Sequence, residues 1–137
     1  MDDSALLERL ASARVARLAT VDAGGRPHAV PICFALDSRV LYFAVDAKPK
    51  RTTDLKRLRN IAANPAVAVL ADHYDDDDWR RLWWVRADGT ARVVAGEDEA
   101  RRAIDLLARR YAQYRTTLPG GPVVAIAIER VVGWSAS

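Results

Sequence analysis

A chain of 137 residues, half of them hydrophobic and 28% charged, suits one domain with a real core and excludes a disordered chain. Twenty-one basic against 18 acidic residues leave a net charge of +3, too weak and too interspersed to indicate a nucleic-acid partner. The lone cysteine, Cys33, excludes an intramolecular disulfide, no apolar run approaches a membrane span, and Met1-Asp2-Asp3-Ser4 is unlike a signal peptide, so a cytoplasmic protein with no membrane span is expected.

Ser4 is placed to cap a short helix that presents Leu6, Leu7 and Leu10 on one face. Residues 15–21 read as a strand, and Asp22-Ala23-Gly24-Gly25-Arg26 as a hairpin turn. The next strand, 28–36, alternates His28, Val30, Ile32, Phe34 and Leu36 against Ala29, Pro31, Cys33 and Ala35. Pro31 cannot donate to a ladder and marks a bulge or an edge. After Asp37-Ser38-Arg39 comes a strand over 40–45, and these three strands in succession are expected to form a meander.

The run Lys48-Pro49-Lys50-Arg51-Thr52-Thr53 then leads into an amphipathic helix over 54–64, which Asn64-Pro65 ends. Cations, hydroxyls and free N–H groups at a helix start suit a phosphate, and a solvated basic turn has the same composition. Residues 66–71 form a short apolar strand expected in the middle of the sheet. Asp75-Asp76-Asp77-Asp78 is a loop without the glycine and distal glutamate of a calcium site. Residues 82–94 are strand-like, and Asp88-Gly89 within them indicates either a hairpin or a bulge. A helix over 97–114 carries Ala103, Ile104, Leu107 and Tyr111 on one stripe; Pro119-Gly120-Gly121-Pro122 breaks the chain before a last strand, 123–130. Hairpin-connected strands with interspersed helices predict a mainly β (α+β) fold, a small barrel with helical decoration, over residues 1–137. His28 and His73 read as structural or surface histidines, Cys33 as a small buried residue, and no Ser-His-Asp or Cys-His arrangement is legible.

The order of the motifs carries a resemblance. Ala16-Arg17-Leu18-Ala19-Thr20-Val21-Asp22 with Gly25-Arg26-Pro27-His28, then Val30-Pro31-Ile32-Cys33-Phe34 and Leu41-Tyr42-Phe43, are followed by Lys50-Arg51-Thr52 and Arg59-Asn60-Ile61-Ala62-Ala63-Asn64-Pro65. Val67-Ala68-Val69, Gly89-Thr90-Ala91 and Val131-Val132-Gly133-Trp134 complete the set. The chain resembles the pyridoxamine 5′-phosphate oxidase-like split β-barrel superfamily of flavin and deazaflavin oxidoreductases. Ala47-Lys48-Pro49-Lys50-Arg51-Thr52 with Trp83-Trp84-Val85-Arg86 is most similar to an actinobacterial branch of coenzyme F420-dependent enzymes.

The resemblance implies an FMN-binding split β-barrel homodimer with two cofactor sites between subunits, and makes 82–94 one bent strand with a bulge near Gly89. Lys48, Lys50, Arg51 and Thr52 would hold the cofactor phosphate, and Lys56, Arg59 and Asn60 would face the phosphate or an acidic tail. The backbone of Ala44 and Val45 would meet the ring edge; of the two adjacent tryptophans, on opposite strand faces, Trp84 is assigned to the site. Six cations, Lys48, Lys50, Arg51, Lys56, Arg57 and Arg59, favour F420 with its polyglutamate tail over FMN, unless Arg57 and others lie on the helix's outer face. The implied reaction is hydride transfer from the reduced deazaflavin to a small conjugated substrate such as an enone or a tetrapyrrole, chemistry the cofactor carries itself. An FMN-dependent oxidase or reductase, and a non-catalytic F420 or haem binder, are the alternatives.

Overall fold

The computed structural model describes residues 1–45 and 55–137, so Lys48, Lys50, Arg51 and Thr52 lie outside the described residues. Strict alternation of buried and exposed side chains marks β1 (Ala16–Val21), where Ala16, Leu18 and Thr20 turn inward. The other strands are β2 (Pro27–Ile32), β3 (Ala35–Asp37), β4 (Val40–Ala44), β5 (Ala66–His73), β6 (Trp83–Val93) and β7 (Val123–Ser135). They form one antiparallel sheet in the order β2-β1-β5-β6-β7-β4-β3. Only Cys33 and Phe34 separate β2 from β3, the two edge strands. Three peptide steps span about 11 Å at most, so the sheet must curl until its edges approach each other, a split barrel.

That topology corrects two expectations. The strand over 28–36 is broken, and the first three strands do not form a meander: only β1–β2 and β3–β4 are hairpins. The break has a physical cause at Phe34, which is fully buried. Its N–H donates to the Tyr111 hydroxyl at 3.0 Å, and its carbonyl accepts from the same hydroxyl at 3.0 Å. The backbone is thereby satisfied outside any ladder, and the chain leaves one edge for the other.

β6 is the single bent strand the resemblance implied. It pairs with β7 along its whole length, with a register shift between Asp88 and Gly89. A Cβ at Gly89 would overlap the carbonyl oxygen of Ala127, so only glycine lets the two strands close at the bulge. β5 lies between β1 and β6, in the middle of the sheet as its apolar run suggested, and continues to His73. The last strand likewise runs beyond residue 130, to Ser135.

Inside the curl, Leu18, Phe34, Leu41, Phe43, Val69, Val85, Val124 and Ile126 form the main core. Helix α1 (Asp3–Ser12) adds Leu6 and Leu10, and α2 (Lys56–Ala63) adds Ile61. Asp2 rather than Ser4 caps α1, its carboxylate accepting from Ala5 N–H at 2.9 Å. Outside the curl, α3 (Glu97–Arg110) covers β4 and β7, packing Ala103 with Tyr42, Val123 and Ala125. Glu99 of α3 accepts from the Tyr42 hydroxyl at 2.7 Å and holds the Arg92 guanidinium at 2.7 and 2.9 Å, tying helix, β4 and β6 together. The helix expected over 97–114 is interrupted at Tyr111, whose backbone turns extended; a short α4 (Ala112–Thr116) follows.

Candidate cofactor corner and outer-face cavity

The amphipathic spacing of α2 turns Arg57, Asn60 and Ile61 toward the barrel, where the helix packs on β1 and β6. Asn60 (3% exposed) donates its amide to the Thr20 hydroxyl (1% exposed) at 3.0 Å. This buried bond clips the helix to β1. Lys56 reaches Asp22 of the β1–β2 turn at 3.5 Å. The Arg26 backbone N–H, at 2.8 Å, is the largest influence holding the Asp22 carboxyl below its ordinary range.

Among the described residues, two buried side-chain polar atoms lack a partner. Arg57 Nε and His28 Nδ1 are buried with no hydrogen-bond partner. His28 faces Thr20 across the β1–β2 ladder, so its neighbour Thr20 is the same residue that anchors α2. A guanidinium N–H withdrawn from water without an acceptor is costly, and an anion relieves the cost. Arg57 stands in the first turn of α2, whose N-cap Leu55 provides no side-chain cap. A helix start of itself favours the same anion. The residues present at this corner therefore fit a phosphate group. The sequence counts Arg57 among six cations suited to the cofactor and leaves an outer-face placement open; its shared spacing with Asn60 and Ile61 is the signal that turns it inward.

The other predicted residues are distributed as follows. Lys56 and Arg59 are exposed on α2, while Asn60 is turned into the barrel. Ala44 pairs with Val123, its side chain half-buried toward α3. Val45 is buried; its N–H donates to the Pro122 carbonyl and its carbonyl accepts from Gly121 N–H, each at 2.9 Å. Gly121 comes so close that a Cβ would overlap the Val45 carbonyl oxygen. The Val45 N–H is thus committed to the 119–122 turn, which clasps the end of β4 beside the start of the 46–54 segment.

Trp83 and Trp84 lie on opposite faces, as strand alternation requires. Trp83 packs partly buried against the main core, with the Arg9 guanidinium 5.4 Å over its ring and His73 stacked at 6.4 Å. Trp84 (36% exposed) points outward, opposite Trp134 (49% exposed) of β7. Together with Leu70, Arg17, Asp72 and Tyr74 they line a cavity of about 730 Å³ on the outer sheet face. Among the described residues no group of three or more His, Cys, Asp or Glu comes together as a metal site, and no helix is long and apolar enough to cross a membrane.

A profile of the family described as pyridoxamine 5′-phosphate oxidase matches residues 3–135. No curated protein matches the chain. Among solved structures, a conserved hypothetical protein from Mycobacterium tuberculosis is 19% identical with a TM-score of 0.81, over 99% of this chain and 86% of that one. A FAD-binding protein from Mesorhizobium loti is 23% identical with a TM-score of 0.73, over 97% and 94%. A FAD-binding protein from Mycobacterium smegmatis is 21% identical with a TM-score of 0.67, over 98% and 94%. At such identities the likeness is one of fold.

Proposed function

From the premise that this chain belongs to the pyridoxamine 5′-phosphate oxidase family, we propose that it is an oxidoreductase using a flavin-type cofactor, with coenzyme F420 ahead of FMN. The observation that carries the reading is the buried, unpartnered Arg57 Nε in the uncapped first turn of α2. Both cofactors bear a phosphate that would satisfy it. The FAD named for the M. loti and M. smegmatis neighbours supports the flavin class. The concentration of cations at 48–59, including Lys48, Lys50, Arg51, Lys56 and Arg59, supports the longer, more acidic F420.

In this reading Arg57 pairs the phosphate, with Lys50, Arg51 and Thr52 of the preceding segment completing the cradle. Asn60 acts through Thr20: it fixes α2, and with it the position of Arg57. The cofactor, when bound, supplies the hydride for a small conjugated substrate. The protein's share is orientation and exclusion of water, which needs no acid–base pair. The exposed Leu70, Trp84 and Trp134 on the outer sheet face favour a homodimer, each copy closing the other's cofactor site. The test is a pair of calorimetric titrations of the purified protein with F420 and with FMN. Saturable binding with F420 tighter is the expected result; FMN tighter would make it a flavin enzyme, and binding of neither would refute the proposal.

A further inference from the structure

The β1–β2 turn places a carboxylate beside a corner that favours anions. Asp22 Oδ1 accepts from Gly24 N–H at 2.9 Å and from Arg26 N–H at 2.8 Å, and the Asp22 N–H donates to the Arg26 carbonyl at 3.0 Å. The side chain is thereby fixed, and its second oxygen, Oδ2, meets Lys56 Nζ at 3.5 Å. An asparagine makes the same kind of turn through its side-chain oxygen, so the turn does not require the charge. The charge faces Lys56, the first residue of α2 and the chain neighbour of Arg57. One oxygen of Asp22 builds the turn, and the other is turned to the helix start.

The Lys56 side chain is 43% exposed, against 25% for Asp22. Its four-carbon stem can swing, whereas the carboxylate is tied to two backbone N–H groups. An exposed pair of this length is weak, so another anion can take the lysine. We propose that Asp22 is a built-in competitor: its Oδ2 holds Lys56 in the ligand-free protein, and an arriving anionic ligand must take the lysine from it. On release the lysine returns to Asp22, so the corner is set to exchange its ligand rather than to retain it. The proposal rests on the oxidoreductase reading for the identity of the ligand, a flavin-type cofactor. The competition itself rests on the geometry of the turn.

The test uses the full chain and calorimetric titrations with F420, FMN and inorganic tripolyphosphate. Asp22→Asn keeps the Oδ1 acceptor of the turn and removes the competitor; a thermal melt like that of wild type checks the fold. Binding is expected to tighten about threefold, the scale of an exposed ion pair, with release in stopped flow slowed by a similar factor. The gain should vanish when Lys56→Gln is already present, because the lysine carries it. Affinity unchanged or weaker in folded Asp22→Asn would overturn the proposal. So would a gain that persists beside Lys56→Gln, which would reveal plain charge repulsion instead. The three probes separate the two readings. Tripolyphosphate that shows the gain and its loss, while neither cofactor binds, refutes the cofactor reading alone. Cofactor binding indifferent to Asp22→Asn overturns the competitor alone, and binding of none of the three overturns both.

Discussion

Removing one hydroxyl inside the barrel tests how α2 is held. Thr20→Val keeps the shape of the side chain and deletes the acceptor that Asn60 reaches at 3.0 Å. Both groups are almost completely buried, so water cannot replace the lost partner. The Asn60 amide is then left unsatisfied at a cost of about 2 kcal/mol, the middle of the range for a buried donor without a partner. In urea, with a slope of about 1.5 kcal/mol per M for a domain of this size, the midpoint should fall by roughly 1.3 M. The double variant Thr20→Val with Asn60→Leu removes both polar groups and should recover part of that loss, giving a coupling of about 1 kcal/mol in a double-mutant cycle. Chemical denaturation followed by tryptophan emission reads all of this. A midpoint shift below about 0.3 M for Thr20→Val would show that the bond does not clip the helix, and the anchoring argument would fail.

Other outcomes follow from the same structure. Tyr111→Phe removes the hydroxyl that satisfies both backbone groups of Phe34 and should destabilise by about 1–3 kcal/mol in the same urea assay. Gly89→Ala should weaken folding severely, because the new Cβ meets a backbone carbonyl rather than a flexible side chain; a thermal melt close to wild type would contradict that. Glu99 is held down to about 2, first by the Arg92 guanidinium and then by the Tyr42 hydroxyl. Its folded-state value lies below the unfolded one, so its stabilisation is present above about pH 4.5 and is lost as pH falls toward about 2. Glu99→Gln should flatten the acid limb of stability against pH, read as unfolding midpoints across that window. Finally, replacing Lys50 and Arg51 together by Ala should weaken cofactor binding by roughly 2–4 kcal/mol with little effect on folding, measured by paired titration and melting.

The strands were legible because their periodicity of two is a direct image of a curled sheet with one face buried: β1, β5 and β6 alternate as the sequence suggests. What failed at 28–36 was the pairing. Alternation continues through Cys33 and Phe34, and nothing local says that a tyrosine 77 residues away accepts from Phe34. The bulge at Gly89 was ambiguous for the same reason, since the carbonyl that excludes a side chain there belongs to Ala127 on another strand. At the candidate site, composition singles out a stretch of chain and does not say which of its side chains turn inward. Asn60 reads as a polar residue fit for a ligand, and burial against Thr20 makes it an anchor. Arg57 reads either as a cofactor-suited cation or as a solubilising charge, and the burial of its Nε without an acceptor, in a half-buried side chain, favours an anion there.

In the proposed function a cofactor phosphate meets this need, and Arg57→Ala is the variant to measure. Calorimetric titration with F420 and FMN, beside an unfolding curve of the same variant, gives two readouts. Binding should weaken by at least tenfold, about 1.4 kcal/mol or more, with folding stability unchanged or slightly raised because an unsatisfied buried N–H has been removed. Unchanged affinity for both cofactors in a folded Arg57→Ala protein would contradict it.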